Sequence, residues 1–290
     1  MTFAVWACAL WAITRSAGTA VCIVGAMRGF SHPNVTRSLK HVLQQLSCDN
    51  RVDVFLYLKL NEICSAGASC GAAKHSSFST DELGEAVRAM QPVALDLDDR
   101  LADFPASGQA RFCNGSDSGP VCLTGHEYSC KFAQQFDKIR KCYEMVMAYE
   151  ERMRIQYSWV ARLRPDISLQ GQPQFNFCRD EGFSRVERYH NGLTLGDHFA
   201  RLQRRDAHIY FKAAFAADHC VPLQQLQKGC HAGLEHGDHV YPECLLTYHI
   251  RLHEGQNMPL RLADRTKQTL VKGNLIRSDH SLRDDLHAWW

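Results

Sequence analysis

Tyr157-Ser-Trp-Val-Ala-Arg-Leu-Arg-Pro-Asp166 decides how this chain is read. Tyr157 to Leu163 is rich in aromatic and β-branched residues and has no helical period, so it reads as a buried strand. Pro165 ends that strand, because proline lacks the N–H a ladder needs and restricts the residue before it. Arg162, Arg164 and Asp166 therefore stand at the carboxyl end of a strand, two guanidinium forks beside one carboxylate. In open α/β sheets ligands bind at that edge. Two fixed forks suit a diphosphate, which they can grip in bidentate fashion. The plain structural alternative is an arginine–aspartate pair that closes a strand end.

Working outward, Thr19 to Met27 is a continuous apolar strand closed by a sharp turn from Gly25 to Gly29. Asn34 is placed to cap a helix whose apolar positions Val35, Leu39, Val42, Leu43 and Leu46 form a one-sided stripe. Arg51 to Leu60 is the next strand. Two strands joined by one helix make a βαβ unit, which predicts a parallel sheet. Ser79-Thr-Asp-Glu82 fits a capping box for a helix ending near Met90, and Pro92 to Leu97 reads as a third strand. His126 to Gln156 reads as a long helix feeding the strand quoted above, while residues 61–78 and 98–125 read as loops. Beyond residue 170 the elements shorten and histidines become dense, with Pro242 to His253 a late helix carrying proline in its first turn. The fold class expected is α/β: a single Rossmann-like, mostly parallel sheet flanked by helices, with an irregular cysteine- and histidine-rich C-terminal part.

At 290 residues and 45% hydrophobic, the chain can bury the core of one large domain. A net charge of +2 with 22% charged residues gives no field-scale attraction to nucleic acid or acidic membrane. Arg201, Arg204 and Arg205 cluster locally, either as a solvated helix face or as a receiver of phosphate. Thirteen cysteines are many for a cytosolic enzyme. Phe3 to Ile13 is an apolar run of signal-peptide length, too short for a spanning helix of about 20 residues. Residues 1–20 are accordingly expected to be a signal peptide or a signal-anchor able to attach the chain to a membrane. A packed N-terminal helix, leaving the protein cytoplasmic, is the competing reading. Loss of Cys8 with a leader would leave twelve cysteines, among which Cys113, Cys122 and Cys130 suit disulfides in a long loop. Asn34-Val-Thr36 and Asn114-Gly-Ser116 are glycosylation sequons. Together these features point to the secretory pathway, in the lumen of the endoplasmic reticulum or Golgi, or to secretion.

The Arg-x-Arg-Pro-Asp run resembles a motif of glycosyltransferase-like proteins with the nucleotide-sugar (GT-A type) fold. In that family the first strand typically ends in Gly-x-x-Arg, as Gly25-Ala-Met-Arg28 does, and an Asp-Val-Phe strand follows, as Asp53-Val54-Phe55 does. A tyrosine- and glutamate-bearing helix precedes the Arg-Pro-Asp strand, matched by Cys142-Tyr-Glu144 through Tyr149-Glu150. An Asp-His-Phe element and a Pro-Glu helix start come later, matched by Asp197-His198-Phe199 and Pro242-Glu243. The resemblance spans residues 20 to 255 in order. It implies one glycosyltransferase-like domain over residues 20–290 that moves a sugar from a nucleotide-sugar donor to a glycan or protein acceptor. It places Gly25, Arg28, Arg162, Arg164, Asp166 and His198 around the donor, with Asp197 completing the catalytic site and Glu243 as base. It also implies a divalent cation, manganese or magnesium, on the donor phosphates. Asp166 holds one acidic position of the usual pair, but Leu163-Arg164-Pro165 fills the other. Either Asp166 binds metal together with Asp197 or His198, or the arginines replace the metal.

Three other patterns lead elsewhere. His219-Cys220, Cys230-His231, His236, His239 and Cys244 could ligate zinc, although the familiar paired spacing is missing and a Cys220–Cys230 disulfide competes. Gly67-Ala-Ser69-Cys-Gly71 matches the nucleophile elbow of serine hydrolases but lacks a strand before it and a helix after it. No phosphate-binding loop and no Gly-x-Gly-x-x-Gly is present, which argues against ordinary kinases and dehydrogenases. A secreted binding domain that keeps the transferase fold without transfer activity is the alternative function.

Overall fold

In a computed structural model of the chain, the described residues are 14–15, 18–27, 29–47, 51–59, 80–98, 129–169, 184–189, 194–212, 242–254, 260–263, 273–276 and 282–283. The first half contains β1 (Thr14–Arg15), β2 (Thr19–Ala26), α1 (Pro33–Ser47), β3 (Val52–Lys59), α2 (Thr80–Met90), β4 (Ala94–Asp98) and α3 (Ser129–Met153). The second half contains β5 (Ile155–Gln156), β6 (Trp159–Leu163), β7 (Ile167–Leu169), β8 (Ser184–Tyr189), β9 (Thr194–Gln203), α4 (Arg204–Phe211), α5 (Pro242–Glu254), β10 (Leu260–Ala263), β11 (Gly273–Ile276) and β12 (Leu282–Arg283).

Seven strands form the main sheet in the order β10-β8-β9-β6-β2-β3-β4, and only β9 runs against the others. The mixed α/β, mostly parallel sheet expected from the βαβ pattern is therefore present. The C-terminal part is less irregular than expected, since β8, β9 and β10 complete this sheet and β7-β11-β12 form a small second one.

The centre of the sheet follows from composition. Ala20 to Val24 are all fully buried, because β2 lies between two strands and under helices on both faces. A parallel strand covered on both sides reads as an unbroken apolar run, which is what this segment is. On one face Val35, Leu39, Val42 and Leu46 of α1, with Leu83, Ala86 and Met90 of α2, pack on Val21, Ile23, Val54 and Leu56. On the other face Phe136, Ile139, Cys142, Tyr143 and Val146 of α3 pack on Cys22, Val24, Phe55 and Tyr57, with α4 and α5 beside them.

Local details differ from the expectations. Helix α1 begins at Pro33, so Asn34 lies inside its first turn. His32 does the capping: its carbonyl accepts the Thr36 N–H at 3.0 Å and its ring Nδ1 accepts the Asn34 N–H at 3.2 Å. Helix α3 stops at Met153 because Arg154 turns left-handed, with φ of 55°, and Gln156 falls in β5. A disulfide joins Cys22 of β2 to Cys142 of α3. Cys113, Cys122, the side chain of Cys130, Arg28, Ser69, residues 3–13, Asn114 and the clustered His219 to His239 with the Cys244 side chain lie outside the described residues. Among the described residues no helix is long and apolar enough to cross a membrane.

The amino-terminal edge of the sheet is clamped by ionic and phenolic groups. The buried Asp53 carboxylate accepts from Arg51 Nε and from the Tyr157 hydroxyl. Glu150 accepts from Arg204 Nε and Nη2 and from the Tyr157 backbone N–H, while Arg204 Nη1 donates to the Tyr143 hydroxyl at 2.6 Å. Arg201 is buried with its guanidinium 3.9 Å over the Trp159 ring. Of the basic cluster only Arg205 is well exposed, so the three arginines do not form a phosphate-receiving patch.

Candidate functional site at the carboxyl edge

The path of the chain across the sheet selects one location. From β2 the chain passes through α1 to β3 and then β4 on one side, and returns through α3 to β6 on the other side of β2. The carboxyl ends of β2 and β6 thus flank the switch in strand order, where open α/β sheets form a crevice.

At that switch Gly25 meets Pro165. The β2–β6 ladder ends with Ile23 opposite Leu163, and beyond it a Cβ on Gly25 would stand 2.7 Å from Pro165 Cδ. Only a residue without a side chain allows this approach. The backbone of the Arg-Pro-Asp turn is therefore seated directly on the end of β2.

Arg164 and Asp166 form a two-pronged pair, with Nε to Oδ1 and Nη2 to Oδ2 both at 2.9 Å. The carboxylate lies inside at 3% exposure and the guanidinium outside at 20%. Such a fork fixes the plane of the guanidinium as well as its position. The Arg164 N–H donates to the carbonyl of His198 at 3.2 Å. Because β9 is antiparallel, its first half, with Asp197 and His198, lies at this same edge. The side chain of His198 is half-buried, and that of Asp197 lies outside the described residues.

Helix α5 is tied to the same edge by Thr247. Its hydroxyl accepts the Leu195 N–H at 2.8 Å and donates to the carbonyl of Glu243 at 2.6 Å. This brings the first turn of α5, with the half-buried Glu243, against the start of β9. Gly25, Arg164, Asp166 and His198 thus meet at one rim, and Glu243 lies against the start of the strand that carries Asp197 and His198.

Arg162 lies elsewhere. Strand alternation sends it to the α4 side of the sheet, where it is 2% exposed and its Nη1 donates to the Tyr210 hydroxyl at 2.9 Å. It is a buried arginine bound to Tyr210, whereas Arg164, past the end of the strand, is partly exposed.

Sequence reasoning missed a pair of charges at the same edge. Lys59 ends β3, Asp98 ends β4, and Lys59 Nζ lies 3.1 Å from Asp98 Oδ2 with both side chains buried. The Tyr57 hydroxyl donates to the same oxygen at 2.6 Å. Burial first, and then the Asp98 carboxylate, push the Tyr57 phenol above its ordinary range. The signal was available as opposite charges closing two neighbouring strands, Lys59 after the apolar run Val54 to Leu58 and Asp98 after Leu97.

No protein-family model matches the chain, and no curated protein matches it. Among solved structures it is similar to the apo crystal structure of mouse xyloside xylosyltransferase 1, with 7% identity and a TM-score of 0.37 over 86% of this chain and 85% of that one. A likeness at that level is no ground for assigning fold or activity, both of which rest on the chain's own residues.

Proposed function

We propose that this protein is a glycosyltransferase-like enzyme that binds a nucleotide-sugar donor at the carboxyl edge between β2 and β6. The observation that carries the reading is the meeting of Gly25, Arg164, Asp166 and His198 on that edge from three separate stretches of sequence, with Glu243 against the start of β9. Arg164, with Arg28 two residues after the end of β2, meets the donor phosphates. Asp197 and His198 close the site from β9. Glu243 takes the proton of the acceptor hydroxyl as its oxygen bonds to the sugar carbon and the nucleotide diphosphate leaves. Arg162 sets the position of β6 from below and does not touch the donor. The acceptor is a glycan or protein, and the reaction runs in the lumen of the secretory pathway. A binding domain of the same fold without transfer activity is the second reading, favoured by an Asp166 carboxylate already engaged by Arg164.

A thermal-shift screen with UDP- and GDP-sugars separates donor binding from its absence, since a ligand at 100 times its dissociation constant adds about 2.7 kcal/mol. Glu243→Gln is expected to keep the donor-induced shift and lose transfer. Loss of both would remove Glu243 from the role of base, and no shift with any donor would favour neither transfer nor donor binding.

A further inference from the structure

We infer that the Cys22–Cys142 pair is a redox latch: it is set, bonded or free, as the chain folds, and the folded protein then holds that state against reductants and oxidants. The latch is independent of the proposed sugar transfer. Cys22 lies in β2, with β3 on one side and β6 on the other, and Cys142 lies midway along the 25-residue α3 that covers one face. Both residues are fully buried. Val24, Phe55, Phe136, Ile139 and Val146 belong to the same apolar cluster, and Cys142 Sγ stands 3.7 Å from the Phe55 carbonyl oxygen.

A disulfide is made or broken by a thiolate that reaches a sulfur and forms a mixed disulfide with it. Closing this bridge takes two such steps. One cysteine thiolate attacks an external disulfide, of glutathione or of a dithiol oxidoreductase, and releases half of it as a thiol. The other cysteine thiolate then displaces the second half. Two electrons and two protons leave the pair, and the external disulfide becomes two thiols; reduction is the same sequence reversed. Either direction needs room beside Cys22 or Cys142 for an external sulfur and its carrier, and a fully buried pair beneath a helix offers none. Exchange therefore waits until α3 lifts from β2 and β3. That opening uncovers Phe136, Ile139 and Val146 together with the strands beneath them, so it draws on much of the global stability.

The reduced pair has a place in the same core. Free cysteine packs as a small hydrophobe, and structural thiols enclosed by apolar side chains are inert. Two forms with one fold result, and the form present records the redox conditions under which the chain closed.

The test uses the full wild-type chain, folded once with glutathione disulfide and once in dithiothreitol. Alkylation followed by peptide mass spectrometry reads residues 22 and 142 apart from the other cysteines. The first preparation should keep the bond in dithiothreitol under native conditions and lose it about a thousandfold faster or more in denaturant, because only the opened fraction reacts. The second should give the same circular dichroism. Its two thiols should neither alkylate nor form the bond on later addition of glutathione disulfide until denaturant is present. Four outcomes would each overturn the latch: native-state loss of the bond at a rate close to that in denaturant, oxidation of the folded dithiol, absence of the bond from the first preparation, or failure of the second to fold.

Discussion

A Cβ on Gly25 would lie 2.7 Å from Cδ and 3.1 Å from Cγ of Pro165, with nothing flexible to yield except a proline ring fixed in its turn. Gly25→Ala should therefore cost about 1–3 kcal/mol as local overpacking, read by chemical denaturation. The double variant Gly25→Ala with Pro165→Ala should recover part of that loss, because alanine removes both offending atoms. Strictly additive effects would show that the two positions do not touch. Each residue was legible in its own motif, but their meeting was not, since it depends on the register that sets Ile23 opposite Leu163. Arg162 is the opposite case. Its charge suggests the rim, yet it lies within β6 with the parity of Val160 and is buried against Tyr210, while Arg164 falls beyond the strand's end. Strand period outweighs the usual preference of arginine for water when a hydroxyl waits inside.

At the scale of elements, α1, α2, β2 and β3 were readable because an apolar stripe or an unbroken apolar run has only one way to be buried. Strand β9 was not. Its ten residues include Gly196, Asp197, His198 and Arg201, and its burial on both faces erases the alternation that would mark it. The end of α3 was equally hidden, because Glu150-Glu-Arg-Met153 continues a helical pattern and the left-handed turn falls on an arginine. What holds that end is Glu150, which joins α3 to Arg204 at the start of α4 and to the backbone ahead of β6. Glu150→Ala should cost about 3–5 kcal/mol, as expected when one partner of a largely buried pair is removed. A loss below about 1 kcal/mol in a denaturant titration would class the pair with exposed ones.

For the molecule as a whole, the two ends of the sheet divide the work. The amino edge is closed by Asp53, Glu150 and the phenols of Tyr143 and Tyr157, and the carboxyl edge carries the proposed site with the buried Tyr57 beside it. Burial is the first cause raising all three phenols above the ordinary value of about 10, with Asp98 adding to it at Tyr57 and Asp53 at Tyr157. Raised folded values mean that this stability is complete below pH 10 and drains away as the pH rises past it. With three groups the slope approaches 4 kcal/mol per pH unit above that point. Phenolate absorbance should therefore show these tyrosines silent until the fold itself gives way, and early ionisation of all nine tyrosines would contradict the buried network.

Cys22 and Cys142 stand 120 positions apart, so their bond closes a covalent ring that contains α1, β3, α2 and β4. A backbone cut anywhere inside that ring leaves a single molecule, its two pieces parting only when a reductant opens the bridge. New chain ends could be introduced there without releasing the strand that carries Gly25 from the helix behind it.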